Sequence, residues 1–366
     1  MHAIVVGAGI SGLSTVWALA KRGHRVTLLE RDSIPNPLGA SGDHHRIIRR
    51  AYRIAMHGYT VRMTEAFAAW DALWADLGAE HIARVGFMGI VTAPGDNADQ
   101  YRDSLRAGGY PFETLTKDAA LARFPYFDPE GFHDVFMSDE GGALLCLRIA
   151  ADMVRWLRDK GVTVREHAVV TDIDTAAASV TLAGGERLSS DAVVVTAGAW
   201  VTGLLPDLAD RLASKRTYVV YLEPPAEFRA AWERTPVIPG IGGDIGGYIL
   251  PPVAGTDLKF GAGATRVDWT ADTPFELSAD AGTRLRDMFA PLFKRLGDYG
   301  VKRERKCVYT FTEDERFFGT RRGAAWIVSA CSGHGYKFGT AIGQRVADAL
   351  ESGNEQALTA WLEARD

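Results

Sequence analysis

Hydrophobic and polar positions follow two rhythms along this chain, and the change from one to the other marks its organisation. Ile4-Val5-Val6 is a short continuous apolar run of the kind buried on both faces, and it predicts a strand over residues 3–6. The glycine turn Gly7-Ala8-Gly9-Ile10-Ser11-Gly12 leads into a predicted helix over 11–22, and a second strand is predicted over 25–30. Strand, helix and strand in that order predict the start of a doubly wound, Rossmann-like sheet. Residues 36–53 are rich in Gly, His and Arg without a period and read as a loop. Met63, Phe67, Trp70, Trp74 and Leu77 then recur at helical spacing, which for such aromatics is the stripe of a core helix.

Ile149, Met153 and Trp156 predict a helix that stops at Gly161, followed by strands over 162–165 and 169–173. Gly184-Gly185 joins stretches 180–183 and 186–188 as a hairpin, and the apolar run from Ala192 is a buried strand ending in Thr196-Ala197-Gly198-Ala199-Trp200. Between about 211 and 317 the pattern turns to strands (218–222, 248–250, 258–261, 306–310) with few helical stretches, as in an antiparallel sheet. From Ala324 a strand reaches Cys331, and a helix beginning near Phe338 carries Ile342, Val346 and Leu350 on one face before Gly353 ends it. The expected fold class is α/β (α+β): a Rossmann-like dinucleotide-binding domain interleaved with a substrate domain on a largely antiparallel β-sheet. The expected boundaries are 1–82, 142–209 and 318–366 for the first domain, and 83–141 and 211–317 for the second.

Composition narrows the partners. At 366 residues and 47% hydrophobic, the chain can bury one large core or two interleaved ones. A net charge of −5 without a basic stripe excludes a nucleic-acid footprint, since the pairs Arg49-Arg50 and Arg321-Arg322 are too short to make one. No stretch approaches the roughly 20 apolar residues needed to span a bilayer, so no membrane partner is expected. Cys146, Cys307 and Cys331 are odd in number, widely spaced and without metal-ligand spacing. They argue against a metal site and a disulfide framework, and for the reducing cytoplasm. A monomer is expected.

The glycine turn carries chemistry. Gly7 permits the tight turn, Gly9 lets backbone approach a pyrophosphate, and Gly12 lets the helix pack close to the sheet, while the helix N-terminus supplies partial positive charge through Ile10 and Ser11. Glu30, at the end of the second strand, is placed to accept from a ribose, and an acid there disfavours NADP. Between NAD and FAD, the chain favours FAD. The fingerprint opens the chain, and a second glycine-rich helix start, Ser332-Gly333-His334-Gly335-Tyr336-Lys337-Phe338, returns at the other end, so a flavin would be held from both sides. Small residues over 196–199 would let backbone pass close to the cofactor, although an ordinary strand end reads the same way.

Taken together, the fingerprint with Glu30, the loop Ser41-Gly42-Asp43-His44-His45-Arg46-Ile47-Ile48-Arg49, Thr196-Ala197-Gly198-Ala199-Trp200, Tyr248, Leu258-Lys259, Cys307-Val308-Tyr309-Thr310 and the segment Ser332 to Phe338 resemble the monomeric sarcosine oxidase group of the D-amino acid oxidase superfamily. That group includes N-methyltryptophan oxidase and relatives acting on cyclic imino acids, and the similarity runs through essentially the whole chain. It implies that the first domain binds FAD, joined at its 8α carbon to a cysteine sulfur, and Cys307 is the matching position. Such a bond needs a thiolate, which Arg46 or the His44-His45 pair would favour if they lie nearby. Cys146 and Cys331 read as small buried residues. The cofactor-contacting set that the resemblance implies is Gly7, Gly9, Ile10, Ser11, Gly12, Glu30, Arg31, Ser41, Arg46, Val170, Ala197, Gly198, Trp200, Cys307, Gly333, His334, Gly335, Tyr336 and Lys337.

The implied activity is that of an FAD-dependent oxidase of secondary (N-methyl or cyclic) or primary amino acids. The amine C–N bond is oxidised to an imine by hydride transfer to flavin N5, water hydrolyses the imine, and oxygen is reduced to hydrogen peroxide. Two alternatives stand beside it: an amino-acid dehydrogenase of the same fold with another electron acceptor, and a non-catalytic flavin-binding subunit of a larger assembly. Within the resemblance, Arg49 and Lys337 clamp the substrate carboxylate, Lys259 assists oxygen reduction, Tyr248 and Tyr309 line the pocket, and Arg46 stands with them. Backbone N–H groups around His334 would face the flavin C2 carbonyl, and His334 itself is not expected to act as a base. The group's sarcosine oxidases carry a histidine a few residues after the oxygen-side lysine, where this chain has Gly263, so sarcosine is not the expected best substrate.

Overall fold

The structure is a computed structural model and describes residues 1–243 and 245–365. His2–Val6 lies inside a six-stranded sheet in the order Phe318–Arg322, Ala325–Ser329, Ala192–Val195, His2–Val6, Arg25–Leu29, Thr163–Arg165. The five strands from Ala325–Ser329 onward pair in parallel, and Phe318–Arg322 closes one edge antiparallel. Ala3, Val5, Val193, Val194 and Val195 are fully buried, which is why these strands read as continuous apolar runs. Ile10–Lys21 follows the first strand, and Gly339–Ser352 lies directly on it. A Cβ on Gly339 would stand 2.3 Å from Ile10 Cγ1, and one on Gly343 would stand 2.3 Å from the Ser14 backbone. The two glycines, one turn apart, let the helices pack closely, Gly339 against the Ile10 side chain and Gly343 against the Ser14 backbone, and so hold segments from the two ends of the chain together. Gly353, at φ 70°, ends the second of them as its position predicted.

The second sheet orders Ile238–Ile241, Gly247–Leu250, Leu258–Ala262 and Ala213–Glu223, and Gly300–Phe311 pairs antiparallel along the length of Ala213–Glu223. One face covers an aromatic core in which Trp232 and Tyr126 stack with centroids 3.9 Å apart, beside Phe127, Phe260 and Phe293. The region 83–141, which periodicity left without elements, holds the small sheet Phe87–Val91, Asp134–Ser138, Glu113–Leu115 and the helices Asn97–Ala107 and Lys117–Arg123.

Two further departures from expectation bear on the site. Within the loop expected at 36–53, Arg46–Arg49 forms a strand paired with Gly141–Leu144. Its period is hidden because Arg49 is buried beside Ile48. The strand expected to reach Cys331 ends at Ser329, and the chain then turns through Ser332 (φ 42°) and Gly333 (φ 74°) before the helix. Among the described residues no helix is long and apolar enough to cross a membrane.

Candidate active site

The fold leaves one large cavity of about 980 Å³ lined from both sheets. At its first end, Gly7 has φ +99°, and a Cβ there would stand 2.6 Å from the Thr196 carbonyl oxygen. A Cβ on Gly12 would lie 1.9 Å from the Gly7 carbonyl oxygen. Both positions therefore require glycine for the turn to close beneath the helix, as the fingerprint predicted. Gly12 is thus part of the support rather than of the wall. The first helix has Gly9 as its cap, and Ser41 from the following loop supplies the missing acceptor, its Oγ taking the Ile10 N–H at 2.9 Å. Glu30 is buried with its carboxylate fixed by the Ala8 N–H at 2.8 Å, the Asp32 N–H at 3.1 Å and the Asn36 amide at 3.1 Å. Arg31 lies over the Trp200 ring, 4.8 Å from its centroid. Gly7, Gly9, Ile10, Ser11, Glu30, Arg31, Ser41, Val170, Ala197, Gly198 and Trp200 all line this cavity.

At the other end the returning loop meets the strand Arg46–Arg49. Arg49 is buried, its guanidinium held between the Tyr52 and Tyr101 rings at 4.6 and 4.3 Å, and its Nη2 donates to the Tyr101 hydroxyl at 3.2 Å. Among the described residues its Nη1 has no hydrogen-bond partner. A buried guanidinium N–H without an acceptor is costly, and because Arg49 lines the cavity it is a candidate to take an acceptor bound there.

Lys337, also buried, donates to the Tyr52 hydroxyl at 2.9 Å and the His334 carbonyl at 2.8 Å. Tyr52 in turn meets His334 Nδ1 at 2.9 Å, and His334 Nε2 meets the Glu315 backbone carbonyl at 2.9 Å. A carbonyl only accepts, so Nε2 carries the proton and Tyr52 donates to Nδ1. Burial and the neighbouring Lys337 hold His334 well below the ordinary imidazole value, and it is neutral. Burial and Arg49 likewise hold Lys337 well below the ordinary lysine value. Trp70 pins this loop by donating to the Lys337 carbonyl at 2.7 Å.

Arg46, Tyr248, Tyr309, Gly333, His334, Gly335, Tyr336 and Lys337 line the cavity as expected. Besides Gly12, two expected residues do not reach its wall. Lys259 has no exposed surface, and its Nζ is turned to Asp43 at 3.0 Å and to the His45 carbonyl at 2.5 Å. The ion pair draws it away from the cavity. Burial pushes its pKa down to about 8, against the pull of Asp43. Burial would raise Asp43, but Lys259, Arg46, Arg305 and the Tyr221 hydroxyl together hold it well below the usual carboxylate range.

Cys307 is the other. Its Sγ lies 3.6 Å from Arg46 Nη2, packed with Ala40 and Cys331, while Cys331 is the cysteine on the wall. Burial raises the Cys331 thiol to about 11, so it stays protonated. Of the two electropositive partners expected for Cys307, Arg46 is in place. His44 points instead toward Arg303, and His45 is enclosed with neither ring nitrogen bonded.

Sequence reasoning gave no role to Asp43, Tyr52, Tyr101 or Arg266. Asp43 and Tyr52 flank the Arg-Ile-Ile-Arg segment and were within its reach. Tyr101 and Arg266 come from distant elements, and no local signal joins them to the site.

This architecture is that of a flavin-dependent oxidoreductase. The sequence matches the family described as FAD dependent oxidoreductase over residues 2–349, and the chain belongs to that family. Among curated relatives it is similar to N-methyl-L-tryptophan oxidase of Yersinia pestis (strain Pestoides F), 27% identical over 358 residues that cover 94% of this chain and 93% of the relative. Among solved structures it superposes on amadoriase I, a fructosyl amine:oxygen oxidoreductase of Aspergillus fumigatus. The TM-score is 0.80 at 20% identity, covering 100% of this chain and 89% of the other. It also superposes on NikD, an unusual amino acid oxidase essential for nikkomycin biosynthesis, with TM-score 0.80 at 19% identity, covering 98% and 96%. These structural likenesses establish the shared fold.

The residues present fit FAD. A glycine cradle that admits no Cβ, a buried carboxylate 30 and a cavity running on to Arg49 and Lys337 match a dinucleotide with a second ring system. Gly7, Gly9, Ile10, Ser11, Glu30 and Arg31 would hold its adenosine diphosphate half, and Arg46, Tyr248, Tyr309 and the segment Gly333 to Lys337 would surround the rest.

Proposed function

We propose that the protein is an FAD-dependent oxidase of amino acids, acting on secondary (N-methyl or cyclic) or primary amines as a cytoplasmic monomer. One observation carries this reading: the buried Arg49 fork, stacked between two tyrosines on the cavity wall, keeps an N–H without a partner among the described residues. A planar guanidinium held in that way is suited to a carboxylate, and fixing the carboxylate fixes the amine and its C–H. When bound, FAD supplies a two-electron acceptor for the amine and delivers the electrons to oxygen. The activities of the relatives, on N-methyl-L-tryptophan and fructosyl amines, agree with amine chemistry.

Lys337 stands beside Arg49 with its pKa pushed down by burial. A carboxylate arriving there would favour its protonated form, so binding and proton uptake are coupled. Tyr248 and Tyr309 wall the site as neutral phenols, the first pushed up to about 12 by burial. Proton release from the substrate amine needs no dedicated base, since a neutral amine already offers its lone pair.

Lys259, though behind the wall, supplies a fixed positive charge that favours anionic oxygen species formed nearby. Cys307 carries the bond to the cofactor's 8α carbon, with an Arg46 N–H 3.6 Å from its Sγ. The unpaired thiols of Cys146, Cys307 and Cys331 support a reducing compartment.

The test is peroxide release in air from a panel of N-methyl, cyclic and primary amino acids. Peroxide formed mole for mole with the carbonyl product supports the oxidase. Loss of flavin colour by substrate without peroxide in air would replace it with a dehydrogenase.

A further inference from the structure

Arg266 is a further guanidinium on the cavity wall, outside the Arg49 and Lys337 clamp. It follows the short turn Gly263–Thr265 at the end of strand Leu258–Ala262. The absence of a side chain at Gly263 makes its room, since a Cβ there would lie 3.3 Å from both Arg266 Cζ and Nη2. The guanidinium lies over the Phe311 ring at 4.8 Å, and its Nη2 stands 3.6 Å from where a Cβ on Gly333 would be. It is therefore held against the same glycine-rich loop that carries His334 and Lys337, and its charge acts on the hydroxyls of Tyr248 and Tyr309.

Its donors are open. Among the described residues, the Arg266 side chain makes no hydrogen bond, and the one carboxylate near it is Glu315, 3.6 Å from Nη1. Glu315 is held more closely by Arg53, at 3.0 Å, so two guanidiniums share one acid. Arg46 is tied to Asp43 and to the Ala40 carbonyl, and Arg31 lies on Trp200 at the adenosine end. Among the guanidiniums at the substrate end, those left without a carboxylate of their own are Arg49, with its orphan Nη1, and Arg266, beside Lys337, which is bonded only to the Tyr52 hydroxyl and the His334 carbonyl.

We propose that Arg266 binds a second anionic group, so that the preferred substrate is an amino acid with a carboxylate-bearing side chain, its α-carboxylate on Arg49 and its distal carboxylate on Arg266. The inference rests on the oxidase reading above and specifies the substrate class of that site. Stacking on Phe311 holds the plane of the fork ready for a bidentate partner, at less cost in freedom than a mobile surface arginine. A neutral side chain would leave those donors to water, whereas a carboxylate makes charge-assisted bonds, a difference on the order of tenfold or more in affinity.

The experiment uses the flavin-loaded wild type, Arg266→Met and Arg266→Lys. Binding of glutarate and of butyrate is read from the shift in the flavin absorption spectrum, and anaerobic loss of flavin colour is followed with racemic N-methylglutamate and N-methylnorvaline. In the wild type, glutarate binds about tenfold or more tighter than butyrate. Arg266→Met removes that preference without changing butyrate binding or flavin content, and Arg266→Lys keeps part of it. With N-methylglutamate, Arg266→Met raises the half-saturating concentration about tenfold and leaves the limiting rate within about twofold, as expected of a group that only binds.

Equal binding of the two acids in the wild type would overturn the proposal, as would a preference that survives in Arg266→Met. Loss of flavin from Arg266→Met would assign the arginine to the cofactor and overturn it too. Glutarate preference without oxidation of any amino acid would uphold the anion pair and refute the oxidase reading instead.

Discussion

At Lys259 the chain keeps an amine where there is no solvent, and Asp43 is the reason it can. Removing one partner of a buried ion pair leaves the other uncompensated, so Asp43→Asn is expected to lower stability by ~3–5 kcal/mol in denaturant unfolding. It also removes the group that raises the Lys259 pKa. The oxygen step needs the ammonium form, present below a pKa of about 8 and lost above it. The rate of flavin reoxidation by oxygen should therefore fall as pH rises through about 8 in the wild type, and Asp43→Asn should move that fall to lower pH. Lys259→Met should slow reoxidation at every pH while leaving flavin reduction by substrate intact; a pH-independent wild-type rate would refute the role.

A second residue-scale test separates the two neighbouring cysteines. After acid precipitation, yellow colour should stay with the polypeptide in Cys331→Ser and leave it in Cys307→Ser, and the reverse pattern would move the bond to the cysteine on the cavity wall. Arg49, Lys337, Cys307 and Lys259 were singled out through the family resemblance of their motifs, since residue type alone reads such lysines and arginines as solvated charges. Their surroundings could not be, because Tyr101 reaches Arg49, and Tyr221 reaches the Asp43 partner of Lys259, through folding alone.

Among the elements, the two helices from opposite ends of the chain owe their contact to missing side chains. A Cβ at Gly343 would sit 2.3 Å from Ser14 backbone atoms that have no freedom to move aside. Gly343→Val should destabilise the protein by ~1–3 kcal/mol and weaken FAD retention, measured by denaturant unfolding and flavin content after dialysis. An unchanged midpoint would show that the helices separate freely.

The buried strands and the helix Gly339–Ser352 were readable because their burial follows a single period, whereas the last helix, Glu355–Glu363, was not foreseen. Arg46–Arg49 was not, since a buried arginine breaks the apolar pattern that would reveal the strand. Asn97–Ala107 escaped as well, although Ala98, Tyr101 and Leu105 are buried along one face. Its remaining positions are so polar that the segment resembles a loop until Asp96 is seen accepting the Asp99 N–H at its start.

For the molecule as a whole, the N-terminal glycine turn and the returning loop before Gly339–Ser352 lie on one cavity, and the antiparallel sheet closes it from the other side. That convergence was legible from the fingerprint and its late counterpart. The shape of the substrate chamber was not, since it depends on how the region containing Tyr101 and the turn containing Arg266 fold back against Arg49. The central claim is that this chamber places an amino acid by its carboxylate on Arg49 against FAD. It is tested most directly by anaerobic titration of the flavin-loaded protein with N-methyl, cyclic and primary amino acids, each paired with the amine lacking its carboxylate. The account predicts loss of flavin colour with at least one amino acid and none with its decarboxylated partner at equal concentration. Equal loss of colour with both, or none with any amino acid, would contradict it.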